Sequence, residues 1–149
     1  MKDYAYSGAL KIYVAVDLDG NILRHVDITF KKPDFDPAGS PLIKKIEEYF
    51  ETGRADFSGY TPDLSSLTDF EREVLNFIRT IPPGKIMTYS EVASAVNRPK
   101  AARAVGNTMA KNPILLIVPC HRVVAVNGLG GFTGSLAVKR ALLELEGAL

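Results

Sequence analysis

The chain has 149 residues, room for one domain or two very small ones. A content of 46% apolar and 23% charged residues is that of a folded globular protein and excludes disorder. A formal net charge of +1 argues against a polycation that coats nucleic acid by bulk charge. One cysteine and two histidines exclude a disulfide framework and a Cys-rich metal cluster within the chain.

Strands come first. Ile12, Val14 and Val16 alternate with Lys11, Tyr13 and Ala15, and Asp19-Gly20-Asn21 supplies residues that tolerate positive φ. Ile22 follows, and Val26, Ile28 and Phe30 alternate again, which predicts a β-hairpin with one buried face. Ser40-Pro41 predicts an N-cap followed by proline at the first helical position. Leu42, Ile43, Ile46, Tyr49 and Phe50 then share a helical face, and Gly53 is the expected stop. Thr52 to Ser66 is rich in Gly, Ser, Pro and Asp and is expected to be a linker. It divides the chain into a first part, 1–66, and a second, 67–149.

The second part reads as mainly helical. Thr68 and Glu71 have capping-box spacing, with Phe70, Val74, Phe77, Ile78 and Ile81 at helical intervals and Pro82-Pro83-Gly84 closing the element. Thr88 and Glu91 repeat the box ahead of a short helix to about Val96. After the turn Asn97-Arg98-Pro99, a helix from about Lys100 to Lys111 carries Ala101, Val105 and Met109 on one face. This is the outline of a helix-turn-helix. Ile114-Leu115-Leu116-Ile117-Val118, between Pro113 and Pro119, suits a buried strand or extended segment. Val126 to Gly134 is expected to be a loop, and Leu136 to Glu146 a last helix stopped by Gly147.

The small net charge hides an asymmetry. Residues 1–66 hold 8 basic and 11 acidic side chains, net −3, and residues 67–149 hold 10 and 6, net +4. Lys85, Arg98, Lys100, Arg103, Lys111 and Arg122 lie between Gly84 and Arg122 with Glu91 as the one acid, so a polyanion should meet this stretch first.

A lone cysteine after an apolar run is ordinarily an inert core residue. Cys120, however, is followed directly by His121 and Arg122. A thiol becomes a nucleophile when a base or positive charge helps it lose its proton, and His121 supplies a base, directly or through one water. A third group must hold the imidazole in the right tautomer, and Glu146 is a candidate. Cys120, His121 and distant His25 give no metal-ligand spacing.

The second helix of the helix-turn-helix has an unusual composition. Ala101, Ala102, Ala104, Gly106 and Thr108 surround a single long side chain, Arg103. A major-groove reader would carry several base-reading side chains. Close approach with one inserted side chain suits a minor-groove binder better. The alternative is that the small residues only permit tight helix packing.

Pro119-Cys120-His121-Arg122-Val123 resembles the active-site motif of the O6-alkylguanine-DNA alkyltransferases. Arg103-Ala104-Val105-Gly106, Met109 and Asn112-Pro113 resemble that family's recognition helix and asparagine hinge. Pro82-Pro83-Gly84-Lys85 and Thr88-Tyr89 resemble the entry to its helix-turn-helix. Gly128 to Ser135, Lys139 and Leu143 to Gly147 resemble its active-site loop and closing helix. The likeness is specific over Leu67 to Gly147 and holds only in outline for residues 1–66.

The resemblance implies an α+β protein: a small ribonuclease H-like N-terminal β-sheet domain, then a mainly helical, winged-helix-like domain with the helix-turn-helix. It implies direct-reversal DNA repair by a methylated-DNA–protein-cysteine methyltransferase. The alkyl group of O6-alkylguanine, and of O4-alkylthymine beside it, passes irreversibly to Cys120 in a single turnover. Tyr89 would rotate the nucleotide and protonate guanine N3, Arg103 would fill the vacated stack, and His121, backed by Glu146, would take the thiol proton through water. Asn112 would tie the turn before the active-site segment. Ala102, Gly106, Lys100 and Lys111 complete the expected DNA-binding set with Arg103 and Tyr89. Met109, Val123, Phe132 and Thr133 form the expected alkylguanine pocket, Thr133 standing where some relatives have serine. Cys120 leaves no thiol for the N-terminal zinc site of some relatives, so no metal and no cofactor are expected. A non-catalytic branch carries tryptophan in place of the cysteine; this chain keeps Cys120.

The expected partner is double-stranded DNA carrying O6-alkylguanine. No membrane is expected, since no apolar run reaches about 18 residues. The free protein is expected to be a monomer, with cooperative loading along DNA left open. The N-terminus shows no signal-peptide stretch, so the expected location is the cytoplasm with the chromosome, or the nucleus in a eukaryote.

Overall fold

The structure, a computed structural model, describes residues 1–133 and 135–149. Three antiparallel strands open the chain: β1 (Lys2–Ser7), β2 (Ile12–Asp19) and β3 (Ile22–Thr29). The hairpin β2–β3 turns at Gly20 and Asn21, as their residue types predict, with Gly20 at φ 59°. Ile12, Val14, Val16 and Leu18 point inward from β2, and Leu23, Val26 and Ile28 from β3. The register shifts between Asp17 and Leu18. That bulge breaks the period of two, so Leu23 rather than Ile22 is buried. Phe30 lies past the end of β3 and is exposed, against the alternation that placed it inside.

β1 was not expected, because its inward residues are Asp3, Ala5 and Ser7, a polar and small set that carries no apolar signal. The Asp3 carboxylate accepts from the backbone N–H of Tyr4, Ala38 and Ser40 at 2.9, 2.7 and 2.8 Å. It thereby pins the loop that leads into the next helix.

That helix, α1 (Pro41–Thr52), packs against β1, buries Leu42, Ile43, Ile46 and Tyr49, and stops at Gly53, φ 76°. Ser40 stands at the N-cap position, but its side chain makes no capping bond. Residues 53–66 are more than a linker. They carry β4 (Thr61–Pro62), which pairs parallel with β3, and bury Leu64. Turn-forming residues at both ends had masked this short edge strand.

In the second part α2 (Asp69–Ile78), α3 (Tyr89–Ala95) and α4 (Ala102–Ala110) pack on one another. Both capping boxes form: Thr68 with Glu71, and Thr88 with Glu91. Val105, Thr108 and Met109 face the core from α4. Residues 114–118 are fully buried, as their composition demands, but they do not form a strand. Ile114 makes a single bridge to Val26, and Leu115 to Ile117 then turn, with Leu116 at φ 70°. Val26 donates to the Pro113 carbonyl at 2.9 Å and accepts from the Leu115 N–H at 3.0 Å. The two parts share one apolar core, in which Val16, Val26, Ile46, Leu75, Val105, Ile114 and Leu142 are all buried. α5 (Leu136–Leu145) closes the chain. The loop expected over Val126 to Gly134 is irregular through Thr133, and Gly134 lies outside the described residues.

Candidate active site

Cys120 opens a single 3-10 turn, Cys120–Arg122, that follows Pro119 and leads into β6 (Val123–Val124). β6 pairs parallel with β5 (Met87–Thr88), which fixes the turn beside the start of α3. Asn112 anchors the approach to it. Its Nδ2 donates to the Val118 carbonyl and its Oδ1 accepts from the Ile114 N–H, both at 2.9 Å. One amide side chain thus holds both ends of the buried turn ahead of the cysteine.

Behind Cys120 lies a buried charged network. Glu146 caps the C-terminal end of α5, where a carboxylate opposes the helix dipole and needs cationic partners. Arg122 supplies them: its Nε donates to Oε1 at 2.8 Å, its Nη2 to Oε2 at 3.0 Å, and its Nη1 to the Ile81 carbonyl at 2.6 Å. His121 Nε2 lies 2.7 Å from Oε2, and the Tyr49 hydroxyl donates to that same oxygen. Burial pushes the Glu146 carboxyl up, but the bonds from His121, Arg122 and Tyr49 outweigh it and leave the group at about 2. Burial pushes His121 down, with Glu146 opposing and the Arg122 and Lys139 charges adding to the drop. At neutral pH the pair is therefore imidazole and carboxylate. A carboxylate only accepts, so Nε2 carries the proton and Nδ1 keeps a lone pair. Nδ1 is buried and has no hydrogen-bond partner among the described residues.

Cys120 itself is 4% exposed. Burial pushes its thiol up, while the Asn112 side chain and the Lys139 charge pull the other way. Lys139 is wholly buried in α5, and its ammonium donates to the carbonyls of Val123 at 2.7 Å and Gly131 at 2.9 Å. Burial brings it down to about 8. It straps the loop over the site and places a cation near the thiol.

Cys120 lines a cleft of about 680 Å³ between α3, α4 and the loop 125–133. Tyr89, Ala102, Arg103, Gly106, Met109, Phe132 and Thr133 line it too. The Tyr89 hydroxyl accepts from the Gly131 N–H at 3.2 Å, and its own proton has no acceptor among the described residues. Gly130 has φ 74°, and a Cβ there would collide with that hydroxyl. Arg103, Ala104, Asn107 and Ala110 are exposed, and Ala102 and Gly106 half-buried. A Cβ on Gly106 would make only ordinary 3.9 Å contacts with the Tyr89 ring. Internal packing therefore does not require glycine at position 106, and with exposed Ala104 and Ala110 it keeps an outer face of α4 low.

Other expected site residues lie outside the cleft. His121, Glu146 and Asn112 stand behind it, and Val123 is fully buried with its carbonyl taken by Lys139. Lys100 is exposed ahead of α4, whereas Lys111 bonds Glu71 Oε2 at 2.9 Å and so braces α2. Arg122, expected among the cations that a polyanion meets first, is instead buried and spent on Glu146 and the Ile81 carbonyl, so it is not part of an exposed basic face. Lys139 entered only through the family resemblance, and Tyr49 was given no role. Arg122 and Lys139 are cations in otherwise apolar patterns, a signal that was available; Tyr49 read simply as core. Among the described residues no three His, Cys, Asp or Glu side chains are grouped to hold a metal ion, and no helix is long and apolar enough to cross a membrane.

Residues 69–148 match the family model for the 6-O-methylguanine DNA methyltransferase DNA-binding domain. The chain is similar to the methylated-DNA–protein-cysteine methyltransferase of Metallosphaera sedula, 45% identical over 108 residues, or 72% of this chain and 67% of that protein. A protein of the same name from Shigella flexneri is 40% identical over 131 residues, or 83% of this chain and 75% of that one. Among solved structures, Mycobacterium tuberculosis OGT in complex with DNA superposes with a TM-score of 0.83 at 34% identity, covering 98% of this chain and 93% of that one. The O6-methylguanine-DNA methyltransferase of Pyrococcus kodakaraensis gives 0.79 at 25% identity, covering 98% of each.

Proposed function

We infer that this chain, which belongs to the 6-O-methylguanine-DNA methyltransferase family, repairs DNA by moving the alkyl group of O6-alkylguanine onto its own Cys120. One observation supports this most directly. The chain's single cysteine lines the cleft beside α4, and a neutral imidazole backed by a carboxylate stands behind it.

In this reading the outer face of α4 enters the minor groove, where its small side chains admit the DNA closely. Arg103 stands in for the base that turns into the cleft, and Met109, Phe132 and Thr133 receive it. His121 Nδ1 takes the thiol proton through a water. The sulfur attacks the alkyl carbon, the carbon–oxygen bond breaks, and the electron pair returns to the guanine. Tyr89 donates a proton to the leaving base at N3. Glu146 keeps the imidazole proton on Nε2 throughout, which leaves Nδ1 as the atom that accepts. A thioether is a poor leaving group, so nothing regenerates Cys120. O4-alkylthymine offers the same electrophilic carbon. The free protein is a monomer, with cooperative loading along DNA open to it, and it works with the chromosome, in the cytoplasm or in a eukaryotic nucleus.

Incubation with DNA containing O6-methylguanine, followed by weighing the peptide that bears Cys120, tests the reading. A gain of one methyl group, limited to one equivalent per chain, is expected. Binding without that gain would make the protein a helix-turn-helix regulator. Repeated turnover of an ester or amide would make it a Cys–His hydrolase.

A further inference from the structure

The donors that hold Glu146 come from different regions of the chain. Arg122 and His121 belong to the turn that carries Cys120, but Tyr49 belongs to α1, in the first part. Its ring is fully buried and packs edge-on against Phe50, with centroids 5.5 Å apart. Its hydroxyl donates to Glu146 Oε2, the oxygen that also receives His121 Nε2 and Arg122 Nη2. One oxygen serving three donors gives less to each.

We propose that Tyr49 is a positioning residue for alkyl transfer: by occupying part of Glu146 Oε2, its hydroxyl limits how strongly that carboxylate draws a proton onto His121. This rests on the reading of Cys120 as acceptor and His121 as base. The charged and titratable groups around His121 are Glu146 and Lys139 from the α5 segment, Arg122 and Cys120 from its own turn, and Tyr49 from α1. Glu146 favours the imidazolium; burial, Arg122 and Lys139 oppose it. A weakened Glu146 therefore leaves the ring neutral and able to accept a proton. Burial and the Glu146 charge push the Tyr49 phenol up, so it remains a donor at every working pH.

The test is the rate of benzyl transfer from free O6-benzylguanine to Cys120, followed against pH in wild type, Tyr49→Phe and Phe50→Leu. Phenylalanine keeps the buried ring and removes only the hydroxyl. Its acid limb should move to higher pH by about half a unit or more, since hydrogen bonds to charged groups are among the stronger ones and part of the lost bond passes to His121. Phe50→Leu trims the same packing but keeps the hydroxyl. It should lower Tm and leave the limb where it is. The His121 Nε2 proton, from one of only two histidines, gives a readout without chemistry. It should move downfield in Tyr49→Phe as the His121–Glu146 bond tightens. An unmoved limb or proton in Tyr49→Phe, or an equal move in Phe50→Leu, overturns the proposal. A wild type that transfers nothing overturns the functional reading instead.

Discussion

Replacing Glu146 by glutamine removes a charge and one acceptor position from a carboxylate that three side chains share. The amide oxygen can take the place of Oε2 and still receive His121 and Tyr49. Its NH2 then faces Arg122 Nε, donor against donor, where the native contact is 2.8 Å. Arg122 is 9% exposed in its side chain and Glu146 0%, so water cannot replace the lost partner. Removing one member of a buried ion pair costs about 3–5 kcal/mol. At roughly 2–4 °C per kcal/mol for a domain of this size, Tm should fall by about 10 °C. Thermal unfolding at pH 7, followed by far-ultraviolet circular dichroism, measures this directly. A Tm within about 2 °C of wild type, on the same scale, would show that Glu146 is not the counter-charge of Arg122 and would remove the basis for its hold on His121.

Acid should undo the same network. The folded carboxyl of Glu146 stands at about 2 against an ordinary 4.5, so the unfolded chain binds its proton first. The contribution, about 3 kcal/mol, is present above pH 4.5 and is lost as pH falls toward 2. His121, lowered in the folded state, adds an earlier loss that begins below 6.5, because the unfolded imidazole charges more readily. Lys139, lowered to about 8 in the folded state, adds a small loss between pH 8 and 7, so urea midpoints should decline gently from pH 8 and more steeply below about 6.5; a midpoint that rises on acidification contradicts these assignments. Arg103→Ala should slow repair of duplex on the order of tenfold or more, since holding a base out of the stack costs a few kcal/mol. The same variant should react with free O6-benzylguanine like wild type, and equal loss on both substrates would exclude a place in the base stack. Lys139→Met removes the donor shared by the Val123 and Gly131 carbonyls and the cation near Cys120. Tm should fall by several degrees, at about 1.5 kcal/mol or more per charge-assisted bond, and benzyl transfer should need higher pH. An unchanged pH profile would mean that Lys139 only braces the loop.

The helices of this protein are legible because their ends are written in local chemistry. Thr68 with Glu71, Thr88 with Glu91, and Pro41 ahead of Gly53 mark boundaries that tertiary packing leaves in place. Strand β1 is not legible, since burial of Asp3 serves a hydrogen-bonded loop anchor and no apolar pattern results. Residues 114–118 show the opposite failure. Their hydrophobicity reports burial correctly but says nothing of conformation, and Leu116 adopts a left-handed backbone that its side chain does not advertise. Within the site, the Cys120-His121-Arg122 run and Glu146 could be singled out from local order and chemistry. The Tyr49 contact could not, because it spans residues 49 to 146, and a tyrosine on the inner face of an amphipathic helix needs no other explanation than packing.

The bridge between Val26 and the Pro113–Leu115 backbone bears on the order in which the molecule is made. Synthesis runs from the N-terminus, so the hairpin holding Val26 leaves the ribosome long before residue 114. Pairing across that span carries a high loop-closure cost unless one side is already formed. The early sheet is then a template onto which the segment before Cys120 docks, and Glu146 arrives later still. A nascent chain has its cysteine but neither the Glu146 carboxylate nor the completed turn around it. In the proposed function, the thiol therefore gains its oriented base only once residue 146 has joined the fold.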